Sequence, residues 1–343
     1  MKALILSDYK KFVYDETADP KPESDEVLIK VEACGICGSD VHGMDGSTGR
    51  RRPPIIMGHE AAGVIMATGS DASEWRKGDR VTFDSTIYCG KCEFCQRGEI
   101  NLCDARRVLG VSCADYRQNG AFAEYLAVPQ RVLYRVPDAL SFEHAALIEP
   151  FTIALHAVKR AGISSPKSSV VIGAGMIGLA IVQVLASQGC RSIICVDVAA
   201  DRLAVATKCG ATQVINSKTA EPIEAILALT NGKGSEVALE AVGLTSTVDL
   251  ALQSVRKGGS VVLVGNVAPK IDFPLQIAVT RELSIYGSCA SKGDYPECLD
   301  LMARKALRPD LLISAVAPLS EGADWFQRLY NKEPGLLKVI LKP

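Results

Sequence analysis

The chain lacks a charge excess of either sign. Its 38 Lys and Arg stand against 39 Asp and Glu, a formal net charge of -1 over 343 residues. That balance excludes the basic field by which a protein holds nucleic acid or an anionic membrane. One local exception is the run Arg50-Arg51-Arg52. No apolar stretch is long enough to span a bilayer. Met1-Lys2-Ala3-Leu4 leads straight into a strand-like pattern with no signal-peptide cleavage site, so a cytoplasmic location is expected. Internal repeats and low-complexity segments are also missing. What remains is 48% hydrophobic and 22% charged residues, the profile of a globular protein long enough for two domains.

Twelve cysteines would suggest disulfides in a short secreted chain, but no secretion signal accompanies them. Cys190, Cys195 and Cys209 sit in apolar runs and read as core. Four others, Cys89, Cys92, Cys95 and Cys103, follow the spacing Cys-x2-Cys-x2-Cys-x7-Cys. Each Cys-x-x-Cys step lets two thiolates face one centre, and the fourth Cys completes a tetrahedron around Zn²⁺. Disulfides, an iron–sulfur cluster and four unrelated thiols are the alternatives. The run lacks the Cys-Pro ending of bacterial ferredoxins, which weighs against a cluster. A closed, structural four-thiolate zinc site is the reading.

The first third is strand-rich and broken by Gly and Pro, with β-prone runs at residues 27–31, 61–66, 80–83 and 123–128. Beyond residues 145–170, strand and helix patterns alternate as far as Ile285, which predicts a parallel sheet covered by helices on both faces. A less regular tail follows, with a helix-like stretch over residues 295–305. Within the alternating part, Val170-Val171-Ile172 runs into Gly173-Ala174-Gly175-Met176-Ile177-Gly178 and then a helix-like run. Gly173 permits the tight turn, Gly175 lets backbone N–H groups approach a pyrophosphate, and Gly178 lets helix and strand pack closely. The phosphates would sit at the helix N-terminus. Asp197 ends the next strand and would accept from both adenosine ribose hydroxyls. Its charge repels a 2′-phosphate, and Val198-Ala199-Ala200 offer no cation, so NAD is preferred over NADP. Arg202 would lie over the adenine or ribose.

A sparser set of donors lies outside the cysteine quartet: Cys37 in Cys37-Gly38-Ser39-Asp40-Val41-His42, and the pair His59-Glu60. Singly, such residues are more often core or structural. Together, Cys, His and carboxylate supply three ligands and leave a position for water or substrate, as a catalytic zinc requires. Cys34 also forms a Cys-x-x-Cys pair with Cys37, but no thioredoxin-like setting surrounds it, and it reads as core.

These motifs, in this order, resemble the zinc-dependent medium-chain dehydrogenases of the alcohol and polyol type, in the sorbitol-dehydrogenase-like branch. Gly58-His59-Glu60, Gly63, Gly69 and Ala72 fit that family's zinc signature, and Gly120-Ala121-Phe122-Ala123-Glu124-Tyr125 follows in place. The resemblance covers essentially the whole chain. It implies an α/β protein with a GroES-like, β-rich catalytic domain over residues 1–154, carrying the zinc lobe at about 86–108. A doubly wound Rossmann domain would span 155–286, and residues 287–343 would return to the catalytic domain. By resemblance, Cys37, His59, Glu60 and Glu149 bind the catalytic zinc, with Glu60 and Glu149 exchanging. Carboxylates in place of thiolates make a harder site, suited to the vicinal hydroxyls of a polyol. Ser39 would pass the substrate proton through the nicotinamide ribose to His42, Glu60 would offer a second route, and Asp40 would fix the tautomer of His59. Met176, Ile177, Val264, Gly265, Ser288 and Cys289 would complete the NAD site.

The chain departs from that branch at two places. Gly43 stands where an aromatic follows the relay His, and Ser288-Cys289-Ala290-Ser291-Lys292 replaces the stretch holding an Arg-Tyr pair that grips the polyol. Sorbitol itself is therefore in doubt. Arg50–Arg52 read either as a grip on an anionic substrate or as a solvated loop or subunit contact. The expected function is NAD-dependent oxidation of a secondary hydroxyl of a polyol or sugar alcohol, with two zinc ions per subunit in a homodimer or homotetramer. The rivals are an L-threonine 3-dehydrogenase-like or simple secondary-alcohol dehydrogenase, and a non-catalytic zinc- and nucleotide-binding regulator.

Overall fold

Alternating burial drives strand formation in the first third. Along the strand Glu26–Gly35, Val27, Ile29 and Val31 are buried while Lys30 between them is exposed, the two-residue period of a sheet with one wet face. The computed structural model describes residues 1–163 and 166–343. The chain forms two compact units, one of residues 1–149, 295–303 and 313–343, the other of residues 150–294 and 304–312.

The first unit is built on a seven-stranded sheet. Its spatial order is Leu133–Arg135, Arg80–Phe83, Glu60–Thr68, Glu26–Gly35, Lys338–Lys342 and Ile313–Pro318, with Tyr125–Pro129 also paired to Glu26–Gly35. Two register shifts interrupt the pairing of Glu26–Gly35 with Glu60–Thr68. The final strand then pairs Ile340 with Gly35 and Leu341 with Cys34, while Gly35 also faces Glu60 on its other side. Three segments distant in sequence thus lie side by side at the end of the sheet that carries the metal-ligand candidates. A core including Val27, Ile29, Phe83, Phe122, Phe326 and Leu341 lies beneath.

The second unit is a six-stranded, all-parallel sheet: Gln213–Asn216, Ser192–Asp197, Ser168–Ile172, Ser235–Glu240, Val255–Leu263 and Ser284–Gly287. From Ser168–Ile172 the chain works outward to one edge, then crosses back to Ser235–Glu240 and works outward to the other. The reversal opens a crevice beyond the carboxyl ends of those two strands, the place where open α/β sheets take ligands. The apolar runs expected as strands at 170–172, 192–196 and 237–240 all lie inside these elements.

The chain leaves the first unit after Glu149, near the start of the helix Ile148–Arg160, whereas residues 1–154 were expected to form the first domain. Residues 304–312, expected within the returning segment, pack with the second unit. Gln183 explains this: its Oε1 accepts from Arg308 N at 2.6 Å and its Nε2 donates to Arg308 O at 3.2 Å.

Candidate active site

The cysteine quartet lies on a short loop followed by the helical turn Glu93–Gln96. Cys92 and Cys95 sulfurs are 3.5 Å apart and those of Cys89 and Cys95 4.0 Å apart. Those spacings exceed a disulfide bond and match the edge, about 3.8 Å, of a tetrahedron with Zn–S bonds near 2.3 Å. The backbone N–H groups of Lys91 and Cys92 donate to Cys89 Sγ and pull its thiol down to about 6, into the range where a thiolate forms readily. All four sulfurs fall within 4.8 Å of one another, so the donor set fits a zinc ion with no position left open.

Cys37, His59 and Glu60 form the second cluster, their ligand atoms also within 4.8 Å of one another. Cys37 caps the helix Gly38–Gly43, its sulfur accepting from Ser39 N at 3.5 Å and from Ser39 Oγ at 3.3 Å. His59 and Glu60 are buried at the start of Glu60–Thr68. Gly35 opposite must be glycine, because a Cβ there would stand 2.6 Å from Glu60 Oε2. His59 Nδ1 lies 3.4 Å from Asp40 Oδ2. That is an ion-pair distance, but the two atoms are not aligned as a hydrogen bond and neither has another partner. Asp40 thus holds the Nδ1 side and leaves Nε2 for a metal.

The electrostatics are those of a site poised for a cation. Burial opposes the charge on His59, but Asp40 and Cys37 outweigh it and hold its proton well above the usual histidine range. Asp40 is likewise opposed by burial, yet His59 and Arg51 keep its carboxyl well below the usual carboxylate range. A divalent ion would take over the positive role that the His59 proton plays here.

Glu149 stands apart from the three-residue cluster. It is buried, and Ser85 Oγ donates to its Oε1 at a long 3.5 Å. Burial, with Glu60 and Asp84 repelling a further negative charge, pushes its carboxyl up to about 8 against the opposing pull of His59 and Lys338. Among the four ligand candidates, the structure therefore brings three together, and Glu149 falls outside that group.

Sequence reasoning missed two residues. Lys338 is buried in the last strand, and its Nζ donates to Glu60 Oε2 at 2.6 Å and to Ile36 O at 2.9 Å. Arg51 was grouped with its neighbours as a candidate anion grip or solvated loop. Instead it is buried, with Nε and Nη2 donating to Asp40 Oδ1 at 3.0 and 2.8 Å. Only Arg50 and Arg52 of the run are exposed. His42 is exposed on Gly38–Gly43, one helical turn beyond Ser39. Cys34 is fully buried, as read.

In the second unit, Gly173 adopts φ 96° and Gly178 packs so closely that a Cβ on it would stand 1.7 Å from Gly173 O. Gly175 caps the helix Met176–Ser187 with only Arg202 Nη1 near its open face, at 4.0 Å from where a Cβ would be. Met176 and Ile177 form the first turn. Asp197 Oδ2 accepts from Ala174 N at 2.6 Å and Oδ1 from Ala199 N at 2.8 Å, which ties the acid to the glycine loop. Across the crevice, buried Glu240 accepts from Val242 N and Gly243 N, and its backbone oxygen accepts from Val264 N and Gly265 N. Ser288 N donates to Leu263 O, and Cys289 is exposed just beyond. The bare loop, the open helix end and the anchored acid fit a dinucleotide.

Two family models match the chain: the alcohol dehydrogenase GroES-like domain over residues 23–138 and the zinc-binding dehydrogenase over residues 177–304. The chain belongs to the zinc-type alcohol dehydrogenase family and is a zinc-binding dehydrogenase, an oxidoreductase with a nucleotide-binding domain. It is 34% identical to sorbitol dehydrogenase of Bacillus subtilis (strain 168), a match covering 100% of this chain and 97% of that one. It superposes with TM-score 0.91 and 32% identity on a structure from Sinorhizobium meliloti 1021 described as a zinc-binding dehydrogenase bound to NADP, covering 100% of this chain and 99% of that one. Galactitol-1-phosphate dehydrogenase from Escherichia coli is similar at TM-score 0.92 and 28% identity, with 100% of both chains covered.

Proposed function

We infer that this protein oxidises a secondary hydroxyl of a polyol or sugar alcohol to a ketone, with NAD as hydride acceptor and two zinc ions per chain. The observation that carries the reading is the mixed set of half-buried Cys37 with buried His59 and Glu60, beside which the buried Glu149 would be a further ligand. One thiolate, one imidazole and carboxylate oxygens make a hard metal site, and a hard site suits a diol better than a three-sulfur or four-sulfur one does. Sorbitol and galactitol 1-phosphate, named in two similar enzymes, indicate the substrate class.

Cys37, His59 and Glu60 would hold the metal, which when bound supplies a Lewis acid that eases loss of the hydroxyl proton. Lys338 holds Glu60 from behind, and Asp40 orients His59. Ser39 would accept the substrate proton while releasing its own outward, on the side of exposed His42 one turn along the same helix. The glycine loop and Asp197 would fix the cofactor. Asp197 and the uncharged Val198-Ala199-Ala200 favour NAD, although a similar structure binds NADP. Should the substrate carry a phosphate or carboxylate, exposed Arg50 or Arg52 would meet it, since Arg51 is engaged with Asp40.

No helix among the described residues is long and apolar enough to cross a membrane, in keeping with action on a dissolved substrate in the cytoplasm. A homodimer or homotetramer fits the exposed Leu275 and Val279 and the edge strand Ser284–Gly287. The test is NAD reduction by the zinc-loaded protein across hexitols, pentitols, their phosphates, threonine and 2,3-butanediol. Turnover of a polyol, abolished by metal removal, supports the reading. Preference for threonine or simple alcohols replaces it with a rival dehydrogenase. Tight NAD binding with no turnover of any substrate points to a regulator.

A further inference from the structure

Arg51 is the one member of the basic run that the dehydrogenase reading leaves without a task. Its guanidinium is only 4% exposed and makes four contacts: Nε and Nη2 to Asp40 Oδ1, Nη1 to Arg50 O at 3.0 Å, and Nη2 to Ser39 Oγ at 3.3 Å. A guanidinium is planar and keeps its donors in a rigid fork. One edge is locked by two bonds to a buried carboxylate, so the direction of the donor aimed at Ser39 is fixed as well.

Gly43 is what makes room for it. A Cβ on Gly43 would stand 2.6 Å from Arg51 Cγ and 3.2 Å from Thr48 Oγ1. Any side chain at position 43 would collide with the arginine stem, so the glycine and the buried arginine go together.

A serine hydroxyl has one proton and two lone pairs. With Arg51 donating to one lone pair, Ser39 keeps a single lone pair to accept a proton, and the proton it would pass on is the one it donates here to Cys37 Sγ at 3.3 Å. We propose that Arg51 is a positioning residue of the proton relay, orienting the Ser39 hydroxyl through its Nη2 while its other donors are anchored on Asp40. Arg51 gives up no proton: one arrives at Ser39 Oγ as the original hydroxyl proton departs. The proposal rests on the relay role of Ser39 in the function proposed above.

The test uses 2,2,2-trifluoroethanol, an acidic alcohol whose CF3 group resists hydride loss, so no knowledge of the natural substrate is needed. Zinc-loaded enzyme with NAD⁺ is mixed with it, and proton release is followed with an indicator dye by stopped flow. Arg51→Met should slow release about 10- to 100-fold, with trifluoroethanol affinity and zinc content near wild type and a lowered melting midpoint, since buried Asp40 loses its partner. Should Arg51→Met lose zinc or fail to fold, Arg51→Lys decides, since it keeps a cation for Asp40 but has no fork to reach Ser39. Slowed release in Arg51→Lys at full zinc content supports the proposal, as does recovery of Arg51→Ala by millimolar guanidinium. Gly43→Ala, which displaces the arginine without removing it, should slow release as well. Wild-type release rates in a fully metallated Arg51→Lys or Arg51→Met enzyme would overturn the proposal and leave Arg51 as a partner of Asp40 alone. Absence of release from the wild type overturns it together with the relay. Failure of the polyol reading would appear separately, as no NAD reduction by polyols while trifluoroethanol still releases its proton.

Discussion

The two candidate metal clusters make an instructive pair. The lobe of Cys89, Cys92, Cys95 and Cys103 is local, chemically uniform and closed. The cluster of Cys37, His59 and Glu60 is assembled from a helix cap and a strand start, braced by the final strand, and mixed in chemistry. Four like thiolates saturate a zinc ion and leave it nothing to do but hold a loop. A mixed set of three donors leaves a position free on a tetrahedral metal, and that position is where reactivity would enter. Contiguity in sequence goes with structure here, and dispersal goes with chemistry.

The sharpest way to break that contrast is to remove one ligand from each. Cys37→Ala should lower kcat by roughly 10³-fold or more and remove one zinc per chain, with little change in melting midpoint. Metal analysis beside steady-state kinetics checks it, and undiminished turnover would erase the distinction. Next in size, Lys338→Met leaves Glu60 as an unpaired buried charge and should cost about 3–5 kcal/mol in urea unfolding, with Lys338→Arg milder. A neutral result would mean that the mixed cluster needs no bracing. Cys92→Ser should cost about 3 kcal/mol of stability and also remove one zinc, while kcat per folded molecule stays near wild type. If that variant lost its activity as thoroughly as Cys37→Ala, the lobe would not be purely structural.

Two smaller effects test the second unit as a control without metal. Asp197→Ala should shift the preference for NAD over NADP by about 10-fold, roughly 1.4 kcal/mol, read from the ratio of kcat/KM values. Asp294 offers a pH test. Burial opposes its charge, but His156 and Lys159 hold its carboxyl down to about 2. A depressed carboxyl stabilises the fold above its ordinary value near 3.8 and loses that contribution as pH falls through about 2. Between those values wild type should lose at most about 2 kcal/mol that Asp294→Asn never had. Parallel acid-unfolding curves for the two proteins would show that the pair contributes nothing.

The contrast also accounts for what could be read before any coordinates existed. The cysteine lobe and the glycine loop are legible because each gathers its functional groups, side-chain sulfurs in one and backbone N–H groups in the other, within a short segment. The parallel sheet was legible from strand and helix periods alternating along the chain. The tasks of Arg51 and Lys338 were not. Arg51 sat among exposed arginines and gave no sign that Gly43 had cleared a channel for its stem. Lys338 opens a strand whose next three residues are buried apolars, and only the pairing of Ile340 with Gly35 brings it to Glu60. The domain limits blurred for the same reason, since Gln183 captures Arg308 across 125 residues of sequence.

The bond from Lys338 to Glu60 spans 278 residues, and that distance sets an order of events during synthesis. A ribosome completes Glu60 and the strands around it long before Lys338 emerges. Until the last strand docks, the nascent first unit carries a carboxylate that it cannot bury at a tolerable cost. The metal-binding half of the molecule is begun first and finished last, so a chain released before Lys338 has an incomplete centre however well its Rossmann half has folded.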